Sequence, residues 1–211
     1  MDTANTLKEL SKLEPLELLG RAYQQQFGKP LSYSQLLVLR ESSGSGLPSL
    51  HEIQSPAFAA KCRKLKLDFS AQYGQSGLRA DDFIRADRNI EIEKLLRYVH
   101  IPVHKHDFME LVFVLSGTCT HTVEGQSFQQ GPGCFTIVNS FTSHELVPAS
   151  DCLCLTTKIR MDTFRDFHIP NLPLLAVPIS FDCGEDPFMR DTLLTIYEQQ
   201  TREASYCSEL I

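Results

Sequence analysis

The sequence lacks the features that mark several common classes of protein. No apolar run approaches the length needed to cross a bilayer, and Met1–Leu10 has no cationic stretch leading into an apolar segment, as a secretory signal would. Basic residues are not in surplus: 20 Lys and Arg stand against 26 Asp and Glu, a net charge of −6. Domains that grip nucleic acid by its phosphates normally carry excess positive charge. We therefore expect a cytoplasmic protein without membrane contact, which does not bind DNA through these residues alone.

A disulfide framework is also missing. The seven cysteines are odd in number and have no framework spacing, which indicates reduced thiols and agrees with a cytosolic location. Cys152 and Cys154 form a C-x-C pair whose members point to the same face if the segment is a strand. We interpret this pair as structural packing, with metal or redox chemistry as the alternative.

At 211 residues the chain can hold one domain with a substantial core, with or without an appendage. Residues 1–88 have helical periodicity. A helix is predicted to enter at Glu14-Pro15, to follow the apolar spacing from Leu16 to Phe27 and to end at Gly28. Further helices are predicted over Gln35–Arg40 and Pro56–Tyr73.

From Ile90 onward the apolar pattern changes to a period of two. Turn signals at Glu124-Gly125 and Gly131-Pro132-Gly133 separate short strand-like segments, a spacing typical of a sandwich or barrel. The predicted strands are Met109–Leu115, Thr118–Val123, Cys134–Val138, Glu145–Val147 and Cys152–Arg160.

After Arg160 the periodicity is helical again, briefly over Met161–Phe167 and then over Phe188–Glu203. The longer segment carries an apolar stripe of Leu193, Leu194, Ile196 and Tyr197. A monomer must leave this stripe exposed or fold it back on the strands. We predict that Phe188–Leu210 forms a homodimer interface, and folding back is the alternative.

Four side chains in the strand region form a candidate site. His104, His106 and Glu110 have the same parity, so on one strand they would project into one interior. His144 comes from a separate strand. Three imidazoles and a carboxylate suit a divalent transition metal. Without metal, the same groups would hydrogen-bond a polar ligand, since buried polar groups need partners.

The motifs around these residues resemble a known family. His104-x-His106-x-x-x-Glu110, with Gly117 seven residues further on, resembles the first cupin motif. Gly133 with His144 eleven residues later resembles the second, although Asn139 and Ser140 occupy the region of its usual proline. The segment HKHDFMELVFVLSGTCTHTVEGQSFQQGPGCFTIVNSFTSHE is similar to the N-terminal sensor domain of AraC-type bacterial transcriptional regulators.

The resemblance implies an α+β fold: a cupin barrel (a double-stranded β-helix or jelly roll) at residues 89–168. A helical extension over residues 1–88 precedes it, and an amphipathic helical segment for dimerisation or linkage follows at 169–211. It implies a pocket for a sugar-like or other polar effector, with or without a divalent transition metal at His104, His106, Glu110 and His144. His121 and Phe141 are further candidate ligand-binding residues.

The same resemblance implies a sensing and dimerisation role in a transcription regulator, with no catalytic residues. DNA contact would belong to a C-terminal helix-turn-helix region that is not part of this sequence, either because the region follows Ile211 or because the protein has lost it. The competing hypothesis is a metal-dependent cupin enzyme, an isomerase or dioxygenase, which would use the same four ligands to bind metal and substrate.

Overall fold

The strands form two five-stranded sheets that face each other across one interior. The computed structural model describes residues 3–42, 46–64, 78–166, 179–184 and 187–209. Strand order is β1-β3-β8-β5-β6 in the first sheet and β10-β7-β4-β9-β2 in the second. All pairings are antiparallel except that of β1 with β3. The predicted cupin-type α+β fold is confirmed.

The strands of the first sheet are β1 (Leu31–Ser32), β3 (Val99–His104), β5 (Cys119–Val123), β6 (Gln126–Gln130) and β8 (His144–Pro148). Those of the second are β2 (Ile90–Leu95), β4 (Met109–Ser116), β7 (Cys134–Val138), β9 (Leu153–Ile159) and β10 (Ile179–Asp182). The predicted strands agree with β4, β5, β7, β8 and β9 to within one or two residues. The sequence pattern gave only a period of two for the region of β2, β3 and β6, without strand bounds, and it did not predict β1 or β10.

The side chains of strand β9 show which face of the second sheet points to the barrel interior and which face points outward. Leu153 and Leu155 pack outward in an apolar cluster with the C-terminal helix. Cys154, and Cys152 just before the strand begins, pack inward against Leu146 of the opposite sheet. The two cysteines are free and buried, so the predicted packing role agrees with their position.

The helices are α1 (Thr3–Ser11), α2 (Pro15–Phe27), α3 (Tyr33–Ser42), α4 (Leu50–Ile53), α5 (Pro56–Lys64), α6 (Ala80–Phe83), α7 (Asp162–Asp166) and α8 (Pro187–Glu209). Helix α2 begins at Pro15 and ends against Gly28 in the left-handed conformation, as predicted. Helix α5 covers only the first part of the predicted Pro56–Tyr73 helix, and residues 65–77 lie outside the described residues. None of the described helices is both long and apolar enough to cross a membrane.

The apolar stripe on α8 is covered by the chain itself, so these side chains are not free to form the predicted dimer interface. Leu193 and Leu194 are buried in a cluster with Leu10 of α1 and the outer face of the second sheet, and Ile196 and Tyr197 pack against it. The side chain of Gln200 accepts a hydrogen bond from Ile92 N and donates one to Ile90 O, both at 2.9 Å.

These bonds satisfy backbone groups of β2, an edge strand of the second sheet. The alternative of folding back on the strands is therefore what the structure shows. Leu210, the last residue of the predicted interface, lies outside the described residues.

Two motif glycines occupy positions that other residues would strain. Gly117 has φ +69°, and a Cβ there would lie 2.5 Å from Asp151 O. Gly133 has φ +81°, and its Cβ would lie 2.6 Å from Gly184 O. Both contacts are with backbone, which cannot easily move, so these turns need glycine.

Candidate ligand and metal site

The structure brings His104, His106, Glu110 and His144 together inside the barrel. Each residue is buried and offers one ligand atom, and these atoms lie within 4.8 Å of one another. His104 ends β3 and pairs directly with His144, the first residue of β8. Glu110 lies on β4 of the opposite sheet.

The expectation that His104 and His106 lie on one strand is wrong. The chain leaves the first sheet after His104 and enters the second at Met109, and His106 lies in this connection, in a bridge with Leu78. The side chains converge because the connection crosses from sheet to sheet, not because of strand parity.

Backbone carbonyls orient the imidazoles. Nδ1–H of His104 donates to Pro102 O at 2.9 Å, and Nδ1–H of His106 donates to Phe108 O at 2.7 Å. His144 Nδ1 lies 3.3 Å from Thr142 O. A carbonyl only accepts, so in the neutral ring Nε2 of His104 and of His106 carries the lone pair. Metal-binding histidines are commonly held in this way through the other ring nitrogen.

Glu110 lies between two of the imidazoles. Its Oε2 is 3.0 Å from His144 Nε2 and 3.7 Å from His106 Nε2. The first distance is a hydrogen bond and the second is too long for one, which leaves His106 Nε2 buried and unpartnered among the described residues. An orphaned buried lone pair beside a carboxylate fits a metal ion or a ligand donor.

Burial sets the charge of the site. Burial, with a smaller contribution from His144, lowers the pKa of His104 to about 3. Burial also pushes the pKa of Glu110 upward, but interactions with His106 and His144 outweigh it and hold that pKa well below the ordinary value. At neutral pH the cluster thus contains a carboxylate and a neutral His104, the forms that coordinate metal.

His121 lies deeper, behind His144, with their ring centroids 5.6 Å apart. Its Nδ1 is 3.1 Å from Gln130 Oε1, and Gln130 Nε2 donates to Thr136 Oγ1 at 2.7 Å. These hydrogen bonds use Nδ1 of His121, and they leave its Nε2 as a second buried atom without a partner among the described residues. Burial lowers the pKa of His121 to about 4, with a smaller contribution from His144.

The structure does not bring Phe141 into the interior. Its side chain is 52 % exposed, and its contribution is a backbone N–H that donates to His106 O at 2.6 Å. The ring that contacts the cluster is Phe108, stacked on His106 with centroids 4.1 Å apart.

A cavity of about 70 Å³ opens beside His104 and Glu110. The N-terminal part of the chain forms one wall with Tyr33, Leu36 and Phe83, and β9 contributes Thr156 and Lys158. Sequence reasoning missed Lys158. The sequence did contain a signal for Lys158. Cys154, Thr156 and Lys158 alternate along one strand and so share its inward face, which places the charge of Lys158 in the interior.

A barrel of two sheets with a polar cluster and an adjoining cavity defines a ligand-binding cupin domain. The chain matches the family described as "AraC-like ligand binding domain" over residues 92–204, more than half its length, and it belongs to that family. This confirms the resemblance stated from the motifs.

The curated relatives include the HTH-type transcriptional activator RhaS of Klebsiella pneumoniae (strain 342), 35% identical over 91 residues. That match covers 42% of this chain and 32% of the relative. RhaS of Escherichia coli O81 (strain ED1a) is 36% identical over 76 residues, covering 36% of this chain and 27% of the relative. The chain thus spans about a third of the length of these regulators.

Similar solved structures include a cupin protein from Bacteroides fragilis, 22% identical with a TM-score of 0.30, covering 34% of this chain and 64% of that one. The DMSP lyase DddQ from Ruegeria pomeroyi is 20% identical with a TM-score of 0.31, covering 43% of this chain and 41% of that one. Neither likeness bears on function at these scores.

Proposed function

We propose that this cytoplasmic chain is the effector-sensing part of an AraC-type transcription regulator and binds a small molecule at the His104/His106/Glu110/His144 cluster. The observation that carries the proposal is the convergence of inward-facing imidazole lone pairs and a carboxylate beside a cavity in a domain of this family. In such regulators, DNA contact is proposed for the part of their length that this chain does not match.

A divalent transition metal fits the same cluster. His104, His106, Glu110 and His144 would hold it, and the orphaned Nε2 of His106 supports this assignment. When bound, such an ion would offer a Lewis-acidic centre for an oxygen-bearing ligand. The four residues also meet the need of a metal-dependent cupin enzyme, which is the second candidate. Turnover of a bound compound would favour the enzyme, and binding without turnover favours the sensor.

The sensing role has a direct test in ligand-induced stabilisation. A thermal-shift screen of sugars and small acids should find a ligand, which at about 100 times its Kd stabilises the fold by about 2.7 kcal/mol. The shift should disappear in His106→Ala and persist in His100→Ala, because His100 lies outside the cluster, paired with Glu145 at 2.6 Å. Hydrogen exchange should then change in the N-terminal segment or α8. Equal shifts in both variants would place the ligand elsewhere.

The proposed regulator is a homodimer whose interface is not the buried stripe of α8. Phe188, at the start of α8, is 69 % exposed and is the strongest apolar candidate for the contact. Light scattering at tens of micromolar should show a dimer for the chain and a monomer for Phe188→Ser. Leu18→Ser, at another exposed apolar position (44 %), should remain dimeric. A monomeric parent chain would contradict the proposal.

A further inference from the structure

The cavity beside the cluster is lined by apolar side chains and by a group of polar and charged ones. Its apolar wall includes Leu36, Phe83 and Phe108, and its polar lining is Arg40, Glu93, Lys94, His104, Glu110, Thr156 and Lys158. Three of these side chains are cations and two are carboxylates. A ligand with an apolar body and one anionic end can use both parts of this lining.

Lys158 supplies a charge at the polar end of the cavity. It lies on β9 directly opposite Glu110 of β4, and its side chain is 8% exposed. Its Nζ pairs with the carboxylate of Glu93 and lies 5.6 Å from the centre of the Phe83 ring. Thr156, on the same face of β9, adds a hydroxyl.

The partners of Lys158 differ in how firmly they are held. Glu110 is buried and already engaged by His144. Glu93 has a side chain 44% exposed at the cavity wall, so it can turn into water. A ligand anion that takes the place of Glu93 keeps the buried ammonium paired, which avoids leaving a charge unpartnered.

We propose that the effector is a small carboxylic acid with an apolar body, whose carboxylate replaces Glu93 on Lys158. The inference rests on the proposed sensing function and narrows its effector class from polar metabolites in general. It places the effector in the cavity that His104 and Glu110 of the cluster line. The apolar body lies against Phe83 and Phe108, and Thr156 Oγ1–H donates to the carboxylate. A cavity of about 70 Å³ holds the carboxylate end and a few carbons, and the remainder extends towards its open side.

The test uses butyrate, hexanoate and benzoate beside their primary amides and beside neutral sugars. Chelator-treated protein is used, so that a carboxylate cannot act through a metal. Calorimetry should show binding of at least one acid and of no amide, because only the carboxylate forms a charge-assisted bond. Lys158→Met should weaken that binding by about tenfold or more.

A second variant should change the affinity for the acid in the opposite direction. It also tests the proposal if Lys158→Met fails to fold. Glu93→Gln removes the competing carboxylate, so it should tighten binding of the acid by about tenfold. Sugars that bind while the acids do not would overturn the effector class and leave the sensing function standing. Equal binding of acid and amide, or an unchanged Kd in Glu93→Gln, would also overturn the class.

Discussion

Replacing Glu17 with alanine should lower the free energy of unfolding by about 3–5 kcal/mol, the usual result of removing one partner from a buried ion pair. Glu17 lies on α2 with its side chain fully buried. Its carboxylate is 2.6 Å from Lys94 Nζ and 2.9 Å from Arg97 Nε, and it also accepts from Arg97 N. Alanine would leave Arg97 without the carboxylate it pairs with, and Lys94 with the longer contact to Glu14 at 3.5 Å, where the N-terminal helices meet the barrel.

Urea titration with a matched control measures this effect. Glu9→Ala removes a carboxylate from α1, where Glu9 pairs with Lys12 in an exposed position. Exposed pairs of this kind contribute about 0–1 kcal/mol, so the control should unfold close to the parent. A loss below about 1 kcal/mol for Glu17→Ala would show that the N-terminal helices do not depend on this contact.

The same contact predicts a pH dependence. Burial raises the pKa of Glu17, but hydrogen bonds from Arg97 and Lys94 outweigh it and leave the folded pKa below the ordinary 4.5. The contribution of the charged carboxylate is therefore complete above the unfolded pKa and declines as pH falls towards the folded one. The difference in the free energy of unfolding between the parent and Glu17→Gln should be constant near neutral pH. It should become smaller below about pH 4.5. A gap that widens on acidification would contradict this account.

Glu17 also illustrates what local sequence could not predict. The pattern gave α2 its start at Pro15 and its end at Gly28, because proline and glycine act through their own backbone. Nothing in that pattern separates Glu17 from an exposed helical glutamate, because its partners are on the β2–β3 segment about 80 residues away. Long-range ion pairing of this kind has no local periodicity.

The candidate site shows the same division. Motif spacing predicted His104, His106, Glu110 and His144 as one group, and the structure places them together. Motif spacing did not predict that the chain changes sheets at His106. Residue parity describes the two faces of one strand and not a connection between two sheets.

The sequence pattern also did not predict the cavity beside the cluster. Its walls come from α3, from the segment between Leu78 and Phe83, and from strands β2, β3, β4 and β9, parts of the chain that only tertiary packing brings together.

Metal content should depend on the cluster as a whole. Protein prepared without chelator should carry a divalent transition metal if the site binds one in the cell, and a His104→Ala/His106→Ala variant should carry none. His121→Ala is the matched control, since His121 is also buried but lies outside the four-residue group. Elemental analysis of the three proteins, with circular dichroism to show that each is folded, makes the comparison.

The pH at which metal is lost follows from the state of the ligands. An ordinary histidine would begin to lose metal below about pH 6.5. Burial lowers the pKa of His104 to about 3, and interactions with His106 and His144 hold the pKa of Glu110 well below its usual value despite burial. Protons therefore compete poorly at these two ligands, and we expect part of the metal to be retained below pH 6.5 and released as the pH falls towards about 3.

Each outcome assigns the cluster a different role. Equal metal in the parent and the folded double variant would remove the four residues as a metal site. Metal in the parent that is lost in His121→Ala as well as in the double variant would extend the site to the deeper imidazole. An absence of metal from all three proteins would leave the imidazoles and Glu110 as hydrogen-bonding groups for an organic effector, because buried polar atoms such as His106 Nε2 still require a partner.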